Sequence, residues 1–138
     1  MKLRAERFHD FCAGHRVCGH EGKCRHLHGH NYRIHFVCEG DLDPLGRVID
    51  FSVIKERLCD WLEENWDHHF LIWDQDPLLP SLREIDPTLV ALPFNPSAEN
   101  MAAHLLQIIG PQQLAGSGVL LREVLVEETR RCQARATL

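Results

Sequence analysis

The 138-residue chain has no long apolar run, no apolar leader and no excess of positive charge. Its longest apolar stretches, such as Val119-Leu120-Leu121, fall far short of the roughly 20 residues that cross a bilayer. The N-terminus carries Lys2, Arg4, Glu6 and Arg7 where a secretory signal needs an apolar core. The expectation is a cytoplasmic protein that engages no membrane. A formal net charge of -5 with His neutral disfavours a nucleic-acid partner. A local basic pocket can still hold a small anion. Six cysteines would allow three disulfides in an oxidising compartment. Without a signal, free thiols are the reading. Internal repeats and low-complexity segments are missing too. One domain over residues 1–138 fits this length, and 44% apolar with 25% charged residues is ordinary for a globular chain.

What the chain does have is histidine. There are 10, and His15, His20, His26, His28 and His30 crowd into one short region. Directly after them, Tyr32-Arg33-Ile34-His35-Phe36-Val37-Cys38 is rich in aromatic and β-branched residues and reads as a strand. Alternate side chains of a strand share a face. His28 and His30 therefore leave one face together, and His15, following a first strand that ends near Ala13-Gly14, can bring a third imidazole. Three neutral nitrogens with an open fourth position suit catalytic zinc. His26 shares the parity of His28 and His30. A closed structural site using Cys18, Cys24 and two His is the competing reading, although its spacing fits no common finger.

Around this cluster the chain reads as follows. Residues 3–12 are extended, 16–27 form a loop, and 28–39 form a second strand. A turn at Asp43-Pro44-Leu45-Gly46 leads into a short antiparallel strand at Arg47-Val48-Ile49. Asp50 caps an amphipathic helix over 51–66. Residues 74–96 are a long connection with four prolines before Pro96, holding a short helix near Ser81–Ile85. Ser97 caps a second helix over 98–109, which Gly110-Pro111 stops. Residues 119–129 alternate as a strand, with Glu128 on the face of Val124 and Val126. A last strand falls near 132–137. Strands and helices are segregated, so the class is α+β with an antiparallel sheet. A sheet this small leaves edges that a closed oligomer would remove.

Three further features can carry chemistry. Cys24 lies beside Lys23, Arg25 and His26, neighbours that favour a thiolate able to act as base or nucleophile. Cys12, Cys38 and Cys59 fall inside elements and read as bystanders. Asp67-His68-His69 follows a helix end. A carboxylate that orients an imidazole makes a proton shuttle, which for adjacent residues requires a bent backbone. Glu128, beside apolar neighbours, needs hydrogen-bond donors that a guanidine-like ring edge would supply.

Together these segments resemble the 6-pyruvoyl-tetrahydropterin synthase superfamily, and within it the bacterial 6-carboxytetrahydropterin synthases of queuosine biosynthesis. The resemblance runs through Phe11-Cys12-Ala13-Gly14-His15-Arg16 and is most specific at Cys24-Arg25-His26-Leu27-His28-Gly29-His30-Asn31-Tyr32. It continues through Gly46-Arg47-Val48-Ile49-Asp50-Phe51, Asp67-His68-His69, Asn95-Pro96-Ser97-Ala98-Glu99-Asn100 and Val126-Glu127-Glu128-Thr129. It implies a T-fold, a four-stranded antiparallel sheet with two helices on one face. Two trimeric barrels would stack as a homohexamer with active sites between subunits. His15, His28 and His30 would bind Zn2+, Cys24 would abstract a proton, Asp67 and His68 would form a second relay, and Glu128 would anchor the pterin. The implied reaction takes 7,8-dihydroneopterin triphosphate to 6-carboxytetrahydropterin, acetaldehyde and triphosphate. Formation of 6-pyruvoyl-tetrahydropterin without carbon–carbon cleavage is the alternative enzyme, and a non-catalytic pterin- or metal-binding module the alternative class. Lys23, Arg25 and Arg16 are the candidates for holding triphosphate. This chain departs from the family pattern at Cys12 and Gly14, where a small residue and Ala are usual. It also has Ala98 after Ser97, a short loop after His15, and a long segment 74–94. A related subgroup in folate synthesis carries Glu in place of the catalytic Cys, so Cys24 argues for the queuosine branch.

Overall fold

The computed structural model describes residues 1–138. In chain order the elements are β1 (Arg4–His15), a 3-10 turn (Lys23–Arg25), β2 (His28–Glu39), α1 (residues 51–65), β3 (Phe70–Trp73), α2 (Leu79–Ile85), β4 (Val90–Leu92), α3 (residues 98–113), β5 (Leu120–Glu127) and β6 (Gln133–Thr137). No helix is long and apolar enough to cross a membrane.

β1 and β2 pair antiparallel without a break, from Arg4 opposite Glu39 to His15 opposite His28. β5 joins the other side of β2, with a bulge at Val37/Cys38, and β6 pairs with β5. These are the four antiparallel strands expected. The sheet is larger than that: β3 lies parallel to β1 and β4 parallel to β3, giving six strands in the order β4-β3-β1-β2-β5-β6. β3 and β4 are runs of four and three residues, too short for an apolar period to declare them.

Both long helices cover one face of the sheet. Ile54, Leu58 and Leu62 of α1 and Met101 and Leu105 of α3 pack with Phe11, Tyr32, Ile34, Phe36, Val124 and Val126 of the strands. Each such side chain, fully buried, contributes about 1.5–3 kcal/mol. The caps are those expected: the Asp50 carboxylate accepts from the Ser52 N–H at 2.8 Å, and Ser97 Oγ from the Asn100 N–H at 3.2 Å.

Two expectations fail for local reasons. Arg47-Val48-Ile49 is not a strand. The Arg47 carbonyl accepts from the Asp43 N–H at 2.8 Å and its guanidinium pairs with Asp43 and Asp50, so the segment folds on itself as a turn. Gly110-Pro111 does not stop α3, which runs on to Gln113. A wide turn at Leu105–Ile109 has already broken the regular ladder, so the missing Pro111 N–H costs little. Gly110 serves packing instead: a Cβ there would run into the Leu121 side chain.

The uncovered face is polar. Asp10 and Cys12 of β1, Asn31 and Arg33 of β2, and Glu127 of β5 alternate with the buried residues and border a cleft of about 670 Å³.

Candidate active site

The register that ends the β1–β2 ladder makes the site. His15 and His28 are direct partners at its last rung, and His30 shares the face of His28. The three ring centroids lie 4.5, 4.8 and 5.0 Å apart, and one ring nitrogen from each falls within 4.8 Å of the others. His15 Nδ1 donates to the Pro96 carbonyl at 2.7 Å and His28 Nδ1 to the His26 carbonyl at 2.8 Å. A carbonyl can only accept, so each ring presents a bare Nε2. These two nitrogens face each other at 3.1 Å. His30 Nε2 is buried with no hydrogen-bond partner. Opposed lone pairs and an orphaned nitrogen are what a metal ion would satisfy, and second-atom bonds to carbonyls are how ligand histidines are oriented. Burial pushes the His15 pKa down to about 4, outweighing the Pro96 carbonyl, while His28 and His30 push the same way. Burial also lowers His30, against the attraction of Glu128. Neutral imidazoles are the form that binds metal. His26 stands apart: its carbonyl, not its ring, serves the cluster.

Glu128, just past β5, places Oε1 3.5 Å from His30 Nε2. Tyr32, next along the same face of β2, has a buried hydroxyl without a partner. Burial pushes that hydroxyl's pKa up, and the charges of Glu128 and Cys24 add to it. The Tyr32 ring stands edge-on to His30 and His15, at 5.5 and 5.9 Å. Sequence reasoning took Tyr32 as a strand former only; its place two residues after His30 was the available signal.

Cys24 sits in the 3-10 turn of the 16–27 loop, and three braces hold that loop. The Val17 N–H donates to the Cys24 carbonyl at 2.7 Å. Asn95 bridges Cys18, accepting from its N–H at 2.9 Å and donating to its carbonyl at 2.8 Å. Arg16 forms a bidentate pair with Asp76, at 2.6 and 2.9 Å, and donates to the Arg25 carbonyl at 2.9 Å. The Arg16 charge is thus already answered, which leaves Lys23 and Arg25 as the freer cations of that loop. The Asn95–Asn100 segment explains itself here. Its carbonyl at Pro96 orients His15, and its Asn95 side chain fastens the loop that carries Cys24. Cys18 keeps its backbone on Asn95 and stands outside the imidazole cluster.

Asp67 and His68 come together on the other face. The His68 N–H donates to the Cys12 carbonyl at 2.7 Å and the Gly14 N–H to the His69 carbonyl at 3.0 Å, so this turn is stitched to β1. His68 takes a φ of 59°, the bend that lets adjacent side chains meet. Its Nδ1 stands 2.8 Å from Asp67 Oδ2. Burial alone would raise the Asp67 carboxyl, but hydrogen bonds from His68 and the Cys12 N–H, with the His68 charge, hold it below the usual range. Cys12 corrects its reading as a bystander: its Sγ lies 3.5 Å from His68 Nε2 and 3.9 Å from Asp67 Oδ1. Cys38 and Cys59 do behave as core residues, burial pushing them to about 12 and about 11.

Residues 4–137 match the profile of the family described as 6-pyruvoyl tetrahydropterin synthase. The chain belongs to that family. Among curated relatives, 6-carboxy-5,6,7,8-tetrahydropterin synthase of Rickettsia felis is 34% identical over 133 residues, covering 94% of this chain and 96% of the relative. The protein of the same name from Haemophilus influenzae is 32% identical over 123 residues, covering 82% and 86%. Among solved structures, an uncharacterized protein from Wolinella succinogenes superposes with a TM-score of 0.88 at 25% identity, covering 99% of this chain and 98% of that one. The Caenorhabditis elegans 6-pyruvoyl tetrahydropterin synthase superposes with a TM-score of 0.72 at 22% identity, covering 100% and 96%. The fold is the T-fold of this family, with β3 and β4 extending its four-stranded core.

Proposed function

We propose that this chain is a 6-carboxy-5,6,7,8-tetrahydropterin synthase, converting 7,8-dihydroneopterin triphosphate and water to 6-carboxytetrahydropterin, acetaldehyde and triphosphate in queuosine biosynthesis. The observation that carries the reading is the triad of converging imidazoles beside Glu128, two of them turned by backbone carbonyls to offer Nε2 and the third with an orphaned Nε2, in a chain whose relatives bear this name. Zinc held by His15, His28 and His30 would draw charge from the substrate's side-chain oxygens and acidify the neighbouring C–H. The Glu128 carboxylate accepts hydrogen bonds from the guanidine-like edge of the pterin. Cys24, as thiolate, removes the side-chain proton, and the Asp67–His68 pair returns protons as the carbon skeleton rearranges and cleaves.

Within one chain Asp67 and His68 lie on the polar face and the triad on the helix-covered face. A centre that uses both draws on two subunits, which supports a homo-oligomer; the homohexamer of two trimers is the assembly proposed. The unpaired edges at β4 and β6 are where further pairing is available.

The test is incubation of zinc-loaded protein with 7,8-dihydroneopterin triphosphate and identification of both organic products. Acetaldehyde with the 6-carboxy product is expected. A 6-pyruvoyl product without acetaldehyde would establish the alternative enzyme, and no turnover would leave only a binding module.

A further inference from the structure

We propose that Cys12, Asp67 and His68 form a second divalent-metal site, of the zinc class, on the sheet face opposite the imidazole triad.

The donor set is one sulfur, one carboxylate and one imidazole, and their ligand atoms lie within 4.8 Å of one another. The donor atoms are close enough to share a single ion. Zinc lies about 2.3 Å from sulfur and about 2.0 Å from nitrogen, so at a tetrahedral angle the two ligands stand about 3.5 Å apart. Cys12 Sγ stands 3.5 Å from His68 Nε2 and 3.6 Å from Nδ1, beside the ring, so the ring must turn to aim Nε2 at an ion held by the sulfur. The 3.9 Å from Sγ to Asp67 Oδ1 asks only for a wider angle. The ligands are held by the fold. The Cys12 N–H fixes Asp67 Oδ1 at 3.1 Å, while Oδ2 stands 2.8 Å from His68 Nδ1 and leaves Nε2 to the ion. A carboxylate behind a ligand imidazole sets its tautomer and raises its basicity. Within one chain the His68 side chain is 77% exposed, so the ring is free to turn to meet the ion. On binding, the Cys12 thiol gives its proton to solvent and sulfur coordinates as thiolate. The site is specific to a chain with cysteine at this position of β1.

One consequence rests on the proposed catalytic role of Asp67 and His68. An ion here withdraws both from proton transfer, so zinc beyond one equivalent inhibits turnover. The binding itself does not depend on that role.

Cobalt(II) titration separates the two sites, because the triad holds no sulfur and a thiolate-to-cobalt charge-transfer band in the near ultraviolet requires it. The expected result is about two cobalt ions per chain, the band growing with the second. It persists in Cys24→Ser and is absent from Cys12→Ser, which binds about one. Asp67→Asn should weaken the second ion by about tenfold or more. A band that survives in Cys12→Ser, or one ion per chain in the unmodified protein, overturns the proposal. If the second ion binds as described, yet excess zinc does not inhibit and His68→Ala turns over fully, the metal site stands and the catalytic role of the pair fails.

Discussion

The Nε2 atoms of His15 and His28 face each other at 3.1 Å, each ring held from behind by a backbone carbonyl. With both Nδ1 atoms committed as donors, neither Nε2 can offer the other a proton. Removing one of the pair removes the site. His28→Ala should lose its zinc at concentrations that saturate the unmodified protein, by more than the ~10–100-fold that loss of an outer partner costs. Metal content by emission spectrometry after dialysis checks this. A chelator should abolish turnover, and added zinc should restore it.

Cys24 is assigned to chemistry rather than to metal binding, and the two roles part under mutation. Cys24→Ala should cut turnover about 10²–10⁴-fold, the range for a proton-transfer group, with zinc content unchanged. Loss of zinc together with activity would make Cys24 a ligand.

The division of site residues between two faces predicts complementation. Cys24→Ala and His68→Ala chains are each expected to be inactive. Mixed oligomers, formed by unfolding and refolding the two together, should regain activity, because about a quarter of random interfaces carry an intact Cys24 from one chain and an intact His68 from the other. Turnover in the mixture against each variant alone is the measurement. A mixture as dead as its parts would place the whole centre within one chain.

Arg16 and Asp76 form a buried bidentate pair, with side-chain exposures of 15% and 0%. Burial would raise Asp76, but the guanidinium and the Leu78 N–H hold it below the usual carboxylate range. Asp76→Ala strands a cation where water is scarce and should cost about 3 kcal/mol. Urea denaturation should show a lower midpoint with an unchanged slope.

The metal-free protein should weaken in mild acid. His15 has a folded pKa near 4, while in the unfolded chain it takes a proton at its ordinary value near 6.5. The unfolded state therefore binds the extra proton between these values. The His15 contribution to stability is full above about pH 6.5 and is lost as pH falls to about 4, by about 3 kcal/mol in all. Denaturation midpoints of chelated protein across this window check the slope, and His15→Gln should remove this part of it.

Much of the site was legible because strand parity and register are short-range rules. Once β1 ends at His15 and β2 begins at His28, the third imidazole follows. The caps at Asp50 and Ser97 were equally local. What escaped depends on distant partners. Phe70–Trp73 becomes a strand because β1 offers a free edge at Gly14 and His15, and Val90–Leu92 because β3 then offers the next edge, which no window of sequence contains. Gly110 reads as a helix stop but answers to Leu121 across the core. Cys12 looked inert because its neighbours Asp67 and His68 arrive from the far end of α1. Asp76 sat in a stretch read as mere connection, with nothing to announce that Arg16 would need it.

The β1–β2 ladder closes on the His15–His28 pair, so the first two ring nitrogens that could share an ion also guard the mouth of a hairpin. An ion there would rivet the two strand ends and close residues 16–27 into a small ring, with Cys24 on its rim. Rivet and reagent would then be mechanically one: opening the mouth sets Cys24 adrift, and a loop tied shut leaves its thiol few places to be.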